Sequence, residues 1–270
     1  MDMNFAGLAY AYTAADIAIN PAVRLEDTEL ELHTVGIGYI HTFKIFDHSA
    51  RFDLVQAFKD ARFTGLLRGV PASADCEGAA DTRARLAVHL YGAPPLAGKA
   101  YAAYRAGVDV ETLFAAALGV QFPTGEYMED KLINLCTNRF TFRRQLGVVH
   151  NRGAWSFEST AVVALFTEND EFFGGNVLEQ DPFYSVDSHV VYTVGPALWS
   201  GVGLGYGYGG ENTVNGKGSG DRKENFAWGL SFGYPVTPRW GFKAACIGTG
   251  TREAVGSDTN TIIVGVSTFW

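Results

Sequence analysis

Ser185, Asp187 and His189 occupy alternate positions of one segment, and Ser, Asp and His are the residue types of a hydrolytic triad. Along a β-strand, residues two apart are separated by roughly 6.5–7 Å, so Ser185 and His189 are too far apart for a direct hydrogen bond. Catalytic triads also draw their members from different elements of a fold. We therefore interpret the three residues as a polar stripe on one strand face, and we predict no catalytic residue.

Charged side chains recur at alternate positions in other segments as well. Where a segment has one apolar face and one small or polar face, the second face would line the lumen of a closed barrel. The predicted lumen residues are Lys44, Arg51, Asp53, Lys59, Arg83, Arg85, His89, Glu111, Glu158, Asp187, His189 and Lys243. The same faces carry the apolar residues Val55, Leu113, Val191 and Ile263. Enclosed charges need partners or water, so this lining either sets ion selectivity or pairs across a narrow barrel, and both interpretations stay open.

A polar segment at residues 123–139 contains the apolar pair Leu132-Ile133. Apolar side chains in an external loop favour a loop that folds back onto the barrel mouth or into the lumen. We name six of its residues as a candidate constriction: Tyr127, Leu132, Ile133, Asn134, Asn138 and Arg139. The loop then either narrows the pathway and contacts a ligand, or packs on its neighbours for stability.

No pattern in the sequence supports a cofactor or metal site, and we predict neither. Gly205-x-Gly207-x-x-Gly210 matches a dinucleotide fingerprint, but that motif requires a strand–turn–helix context, and here glycine alternates with Tyr and Leu. We expect these glycines to thin the lumen side of the wall or to admit an inward loop. Cys76 and Cys136 both fall in predicted external loops, which leaves a single disulfide between them open.

The C-terminal segment shows most clearly which elements hold these residues. Its alternate positions from Ile262 to Trp270 share one face, and their neighbours are mostly small or polar. Period-2 alternation of this kind is typical of a strand with one apolar face. Counting such segments predicts twelve strands, at residues 4–14, 30–46, 50–67, 81–91, 108–122, 139–149, 154–168, 184–194, 198–209, 223–234, 239–250 and 258–270. Most reach the roughly 9–11 residues with which a tilted strand crosses a bilayer.

The connections between these segments alternate in length. Tight turns are predicted at residues 47–49, 151–153, 195–197 and 236–238, whereas residues 169–183 and 211–222 form long polar connections. Transmembrane barrels have short periplasmic turns and longer extracellular loops, so both termini are predicted to be periplasmic. The stretch 92–107 is long for the periplasmic side, and we expect a short helix within residues 96–104.

The composition excludes several other classes of protein. Charged residues make up 19% of the chain, below the roughly 25% of globular domains, and the longest apolar stretch, residues 113–120, is shorter than the roughly 18 residues of a membrane helix. A formal net charge of −8 without a basic cluster disfavours a nucleic-acid partner. The first residues lack the charged start and apolar stretch of a signal peptide, so we expect the processed form of an exported protein.

Several motifs occur together in an order that resembles one known family. They are Pro123-Thr124-Gly125-Glu126-Tyr127, Leu132-Ile133-Asn134-Leu135, Thr137-Asn138-Arg139, Gly92-Ala93-Pro94, Trp155 with Phe157-Glu158, Phe173-Gly174-Gly175 and Gln180-x-Pro182. The chain after about Tyr39 thus resembles the outer-membrane channel family associated with the meta-pathway of phenol degradation. Cys136 and Phe140 depart from the pattern, which has Gly and Trp there. The resemblance implies a channel that moves small, hydrophobic or aromatic compounds across the outer membrane.

These observations predict an all-β fold, a transmembrane antiparallel β-barrel of about twelve strands that forms a single domain over residues 1–270. We predict a passive diffusion channel in the outer membrane of a Gram-negative bacterium, with a narrow pore because the strand number is small. The expected partners are outer-membrane lipid and small solutes, and the expected state is a monomer. The alternatives are an outer-membrane lipid or peptide hydrolase and a structural barrel without transport.

Overall fold

The computed structural model describes residues 2–18, 25–67, 69–96, 100, 103–104, 107–195 and 198–270. Its strands are β1 (Met3–Ala18), β2 (Leu25–Ile45), β3 (His48–Leu67), β4 (Val70–Ala79), β5 (Arg83–Tyr91), β6 (Val110–Gln121), β7 (Thr141–Arg152), β8 (Trp155–Phe166), β9 (Asn169–Phe172), β10 (Asn176–Gln180), β11 (Phe183–Val194), β12 (Leu198–Gly209), β13 (Asn212–Val214), β14 (Lys217–Gly218), β15 (Lys223–Pro235), β16 (Trp240–Thr251) and β17 (Gly256–Phe269). Residues 100, 103 and 104 are helical, within the connection where the sequence predicts a short helix. Among the described residues, no helix has the length and apolarity needed to span a membrane.

Twelve of these strands close into one antiparallel barrel. Their order is β2, β1, β17, β16, β15, β12, β11, β8, β7, β6, β5 and β3, and the pairing of β2 with β3 closes the ring. The first and last strands meet in register, with Phe5 opposite Phe269. Closure gives the backbone groups of a spanning strand partners on both sides, which the interior of a bilayer requires. The predicted twelve-stranded barrel is confirmed, and each predicted segment corresponds to one barrel strand.

Large apolar side chains lie on the outside of the barrel. Leu8, Ile37, Leu204, Trp228 and Ile262 leave between 47% and 72% of their surface exposed. The buried apolar residues in the described part of the chain are all small: Ala15, Ala50, Ala61, Ala80, Cys136 and Ala164. A soluble protein of this size buries its large apolar side chains, so this exterior is suited to hydrocarbon and not to water.

The periplasmic end of the barrel carries the short turns and both chain ends. β2 turns into β3 over Phe46-Asp47, and β7 turns into β8 over Gly153-Ala154. Phe46 and Gly153 have φ values of 50° and 56°, the left-handed conformation that tight hairpin turns use. The turns predicted at 47–49 and 151–153 are therefore displaced by one or two residues. Residues 196–197 of the turn predicted at 195–197 lie outside the described residues.

The extracellular end carries a strand that the sequence analysis assigned to a loop. β3 pairs with β5 over residues 50–55 and, farther along, with β4 over residues 58–67. β3 and β4 thus form a hairpin that extends beyond the start of β5. Val70–Ala79 consists mainly of small residues without apolar alternation, so periodicity does not predict it. Cys76, which we placed in a loop, lies in β4.

Two long extracellular connections also form a small sheet that the sequence analysis treated as loop. Its strand order is β14, β13, β10 and β9. These strands have only two to five residues each, too few for a period-2 pattern to be recognised. Asn169, at the start of β9, is 1% exposed and donates a hydrogen bond to Tyr127 Oη at 3.0 Å. The small sheet therefore contacts the loop 123–139.

Candidate functional site in the barrel lumen

The predicted lumen residues lie on strand faces opposite to the exposed apolar side chains. Lys59 follows Phe58 and Asp187 follows Val186, and these two apolar neighbours are 51% and 48% exposed. The twelve residues are distributed over β2, β3, β5, β6, β8, β11 and β16. They therefore surround the lumen, and only some of them meet directly.

Asp53 brings three of the predicted residues together. Its Oδ1 lies 2.5 Å from Nη2 of Arg51, and its Oδ2 lies 2.9 Å from Nε of Arg85. The Asp53 side chain is 10% exposed, whereas those of Arg51 and Arg85 are 44% and 38% exposed. Arg85 also donates to Gln145 Oε1 at 3.4 Å. One enclosed carboxylate thus binds two guanidinium groups that reach into the lumen, and the three side chains together keep one excess positive charge.

A second group on the same wall is built around Gln121 and includes residues that the sequence analysis missed. Gln121 Oε1 accepts hydrogen bonds from Arg83 Nε at 3.1 Å and from Arg143 Nη1 at 3.5 Å. Gln121 Nε2 donates to Asp81 Oδ2 at 2.9 Å. Arg143 was missed because Arg143 and Arg144 are adjacent, and the pattern of charges alone does not say which of them faces the lumen.

The lumen-facing side chains of β11 lie against the glycines of β12. A Cβ on Gly205 would come within 2.6 Å of Asp187 Oδ1, and a Cβ on Gly203 would overlap the ring of His189. The strands pair so that Asp187 is opposite Gly205 and His189 is opposite Gly203. The alternating glycines therefore provide space for the side chains of the neighbouring strand, in accord with the expected thin wall on the lumen side.

An apolar cavity of about 480 Å³ lies at the wall formed by β1, β2, β16 and β17, and its lining includes residues of both faces, among them the outward-facing Leu8 and Ile37. Its lumen-facing border includes Phe5, Ile40, Val55, Trp199 and Ile263, together with Lys243. A second cavity of about 460 Å³ shares Trp199 and Ser231 with the first and is also bordered by Glu158 and His189. Trp199 was missed because the predicted lumen list consists of charged residues and histidines, with only four aliphatic residues beside them. Its position two residues before Gly201 places it on the lumen face.

Other predicted lumen residues lie toward the periplasmic end. Lys44 Nζ binds Asp47 Oδ1 at 2.9 Å across the turn, and this hydrogen bond and charge lower the pKa of Asp47 below its ordinary value. Glu111 accepts hydrogen bonds from Tyr104 Oη at 2.5 Å and from Asn151 Nδ2 at 3.5 Å. These contacts separate Lys44 and Glu111 from the two arginine groups.

Asp81 attaches the loop 123–139 to the barrel. This buried carboxylate accepts hydrogen bonds from the backbone N–H of Gly125 at 3.1 Å and of Thr137 at 3.5 Å. Cys136 packs on Gly125 so closely that a Cβ on Gly125 would overlap its Sγ. Burial, with the nearby charge of Asp81, raises the pKa of the Cys136 thiol to about 11.

The disulfide that the sequence left open is not formed in this structure. Cys76, Cys136 and Cys246 are free thiols. Cys76 Sγ donates to the carbonyl of Ile133 at 3.8 Å, and Cys136 Sγ donates to the carbonyl of Ala79 at 3.5 Å. Cys76 of β4 thus bonds to a carbonyl of the loop, and Cys136 of the loop bonds to a carbonyl of β4.

The candidate constriction residues make contacts with the small extracellular sheet. Tyr127 Oη donates to the carbonyl of Glu171 at 3.2 Å, and Asn138 Nδ2 donates to Glu171 Oε2 at 2.9 Å. Within the loop, the Asn134 amide bonds to both the N–H and the carbonyl of Met128. Leu132 is 46% exposed.

Arg139 closes the loop with a guanidinium that is largely buried. Its Nη2 donates to Gln180 Oε1 at 2.5 Å, and its Cζ lies 4.9 Å from the centroid of the Phe166 ring. Its Nε and Nη1 are buried without a hydrogen-bond partner in the described residues. Burial lowers the pKa of Arg139 from its ordinary value, since the charged form loses hydration.

Solved structures with this architecture define the class of protein. The chain is similar to the COG4313 outer membrane channel from Pseudomonas putida F1, with a TM-score of 0.83, 18% identity, and coverage of 100% of this chain and 96% of that one. It is also similar to the β domain of the Bordetella autotransporter BrkA (TM-score 0.54, 10% identity, 100% of both chains). The translocator domain of the autotransporter NalP from Neisseria meningitidis has a TM-score of 0.52 at 11% identity, over 99% of this chain and 88% of that one. No curated protein matches the sequence.

The protein thus has the fold of an outer-membrane β-barrel channel. A sequence profile of the family described as "Putative MetA-pathway of phenol degradation" matches residues 110–251, more than half of the chain. The chain belongs to this family, and the resemblance drawn from the loop motifs is confirmed.

Proposed function

We propose that the protein is a passive diffusion channel for small hydrophobic or aromatic compounds. The observation that carries this proposal is the apolar lumen-facing border of the cavity of about 480 Å³, which Phe5, Ile40 and Trp199 form. Sites for small apolar molecules are concave and mostly apolar, with a few polar groups that fix orientation. The lumen of a general porin is instead polar and water-filled. An aromatic solute that enters this barrel therefore has a surface on which its ring is stabilised.

The other predicted parts of the pathway belong to this proposal. The twelve charged and polar lumen residues would control which ions and solutes accompany the apolar ones. The loop 123–139, held by Asp81 and by contacts to Glu171, would restrict the extracellular entrance. The barrel would act as a monomeric single domain, surrounded by outer-membrane lipid. Transport of this kind needs no catalytic group.

Uptake by whole cells tests the proposal. Cells that produce the protein and cells that lack it are given one of two dilute labelled solutes. The first is benzyl alcohol, a neutral arene, and the second is arabinose, a small sugar. We expect several-fold faster entry of the arene and little change for the sugar. Equal acceleration of both solutes would indicate a general narrow porin, and no acceleration of either would contradict the channel.

A pair of tryptophan variants makes the test specific to the cavity. Trp199→Ala removes the indole that borders the cavity, and we expect it to slow arene entry toward the rate of cells without the protein. Trp228→Ala removes an indole that is 47% exposed on the outer face and serves as the control. The same slowing in both variants would mean that the cavity does not carry the arene.

A further inference from the structure

Two pairs of arginines on one lumen wall differ in what lies between them. Arg51 and Arg85 flank the carboxylate of Asp53, at 2.5 and 2.9 Å. Arg83 and Arg143 flank the amide oxygen of Gln121, at 3.1 and 3.5 Å. A carboxylate carries a full negative charge, and an amide oxygen only a partial one. The first pair therefore faces a full negative charge between its members, and the second pair faces only a partial one.

Contacts behind Gln121 fix this arrangement. Its Nε2 donates to Oδ2 of Asp81 at 2.9 Å, so the amide oxygen is the atom that faces the two arginines. Asp81 carries the nearby negative charge, but its oxygens accept from Gln121 and from the backbone N–H groups of Gly125 and Thr137, and in the described part of the chain they form no ion pair with the two arginines. The donors of Arg83 and Arg143 that Gln121 does not use are left for another acceptor.

A third cation adjoins this pair. Arg83 is opposite Val55 on β3, and Lys59 is the second lumen-facing position beyond Val55. Arg83 repels both Lys59 and Arg143, whereas the carboxylate of Asp81 attracts Lys59. In the described part of the chain, none of the three makes an ion pair with a carboxylate within 4.0 Å, whereas Arg51 and Arg85 both do so with Asp53. Three positive charges with one nearby carboxylate leave an excess of positive charge, which favours an anion held among them.

We propose that Lys59, Arg83 and Arg143 form a binding site for the carboxylate of a small aromatic acid on its way through the barrel. Planar guanidinium groups offer paired N–H donors that match the two oxygens of a carboxylate. This proposal rests on the proposed channel function and names its substrate class: an aromatic ring that bears one carboxylate.

The rest of the lumen supports an anion with an apolar body. The apolar cavity lies farther toward the periplasm and is bordered by Phe5, Ile40 and Trp199, which provide a surface for a ring. Lys243 borders the same cavity and is exposed to it. A solute with both a ring and a carboxylate thus meets matching groups at two successive levels of the barrel.

Current block in planar lipid bilayers tests the site with benzoate as the probe. The full-length protein is inserted, the potassium chloride current is recorded, and benzoate, benzyl alcohol or inorganic phosphate is added on the extracellular side. We expect benzoate to reduce the current in a saturable way and the other two compounds to do so only at much higher concentration. Arg143→Gln should raise the benzoate concentration for half-block by at least about tenfold, the effect of losing one charge-assisted hydrogen bond.

The neighbouring arginine provides the matched control. Arg144→Gln removes the same charge from the adjacent residue of β7, which faces outward, and should leave the half-block concentration within about twofold of the wild type. If Arg143→Gln does not give the heat-dependent gel shift of a folded barrel, Arg83→Gln takes its place. Equal effects of the two substitutions at 143 and 144, or block by phosphate as strong as by benzoate, would overturn the site.

The outcomes separate this inference from the proposed function. Entry of benzyl alcohol into cells without saturable block by benzoate would leave the channel standing and remove the carboxylate site. Saturable benzoate block that depends on Arg143, without entry of benzyl alcohol, would support the site and contradict a channel for neutral arenes.

Discussion

Asp187 of β11 lies so close to Gly205 of β12 that a Cβ on the glycine would be 2.6 Å from Asp187 Oδ1. The same relationship holds for His189 and Gly203, the pair two residues farther along β11. Gly205 and Gly203, which pair with Asp187 and His189, have no side chains. The side chains of Asp187 and His189 can therefore lie flat along the wall instead of projecting across the lumen. The glycines of β12 therefore contribute directly to the free width of the barrel.

A side chain at Gly205 should force Asp187 away from the wall. We expect Gly205→Ala to lower the free energy of unfolding by about 1–3 kcal/mol, the range for overpacking, and to reduce single-channel conductance as the carboxylate moves into the lumen. Urea unfolding in lipid vesicles and conductance in planar bilayers measure the two effects. Gly229→Ala is the control, because a Cβ there meets its nearest neighbours at 3.8 Å. Equal losses in both variants would show that the contact with Asp187 is not responsible.

Removal of the Asp53 charge should destabilise the barrel. Asp53→Asn leaves Arg51 and Arg85 with only neutral acceptors, the new amide and Gln145, and we expect a loss of about 2 kcal/mol in the free energy of unfolding. Asp75→Asn breaks an ion pair with Arg62, and the side chains of Arg62 and Asp75 are 62% and 63% exposed. We therefore expect this substitution to lower the free energy of unfolding by less than about 1 kcal/mol. Urea titration of both variants decides the matter, and a larger loss for Asp75→Asn would contradict the role of Asp53.

The barrel strands were predictable because lipid requires their alternation. Strands such as β17 place large apolar residues at every second position, and this pattern is visible in a single sequence. β4 and the small sheet face water or other loops, so no such requirement applies and their residues do not alternate. The small sheet also depends on one pairing between segments distant in the sequence, that of β13 with β10.

The candidate site was predictable where charge alone marks a residue. Asp53, Arg51 and Arg85 follow the alternation of their strands, and they meet in the structure. Gln121 carries no charge, and its importance depends on two arginines from different strands and on Asp81 behind it. Such a relationship arises only from the register between β5, β6 and β7, which a single sequence does not contain.

The contact between Gly125 and Cys136 should hold the loop 123–139 in place. Gly125→Ala would overlap Cys136 Sγ and bring a Cβ within 2.7 Å of the carbonyl of Ala79. We expect the loop to be displaced and the exposed Lys131 to be cleaved by trypsin several-fold faster than in the wild type. Gel analysis of a digestion time course measures the rate of cleavage. Gly229→Ala is the control, because it adds a methyl group to the barrel wall and not to the loop. Unchanged cleavage at Lys131 would mean that the loop accommodates the methyl group.

The buried thiol of Cys136 should make stability depend on alkaline pH. Its pKa is raised from 9.0 to about 11, so the folded state holds this proton more tightly than the unfolded state does. The resulting stabilisation is complete below pH 9 and is lost as the pH rises toward 11. We expect wild-type protein to lose more stability over this interval than Cys136→Ser, whose hydroxyl does not ionise there. Native alkylation at pH 9, followed by mass spectrometry, should modify the partly exposed Cys76 before Cys136. Equal alkylation rates and identical pH profiles would show that the thiol is not protected.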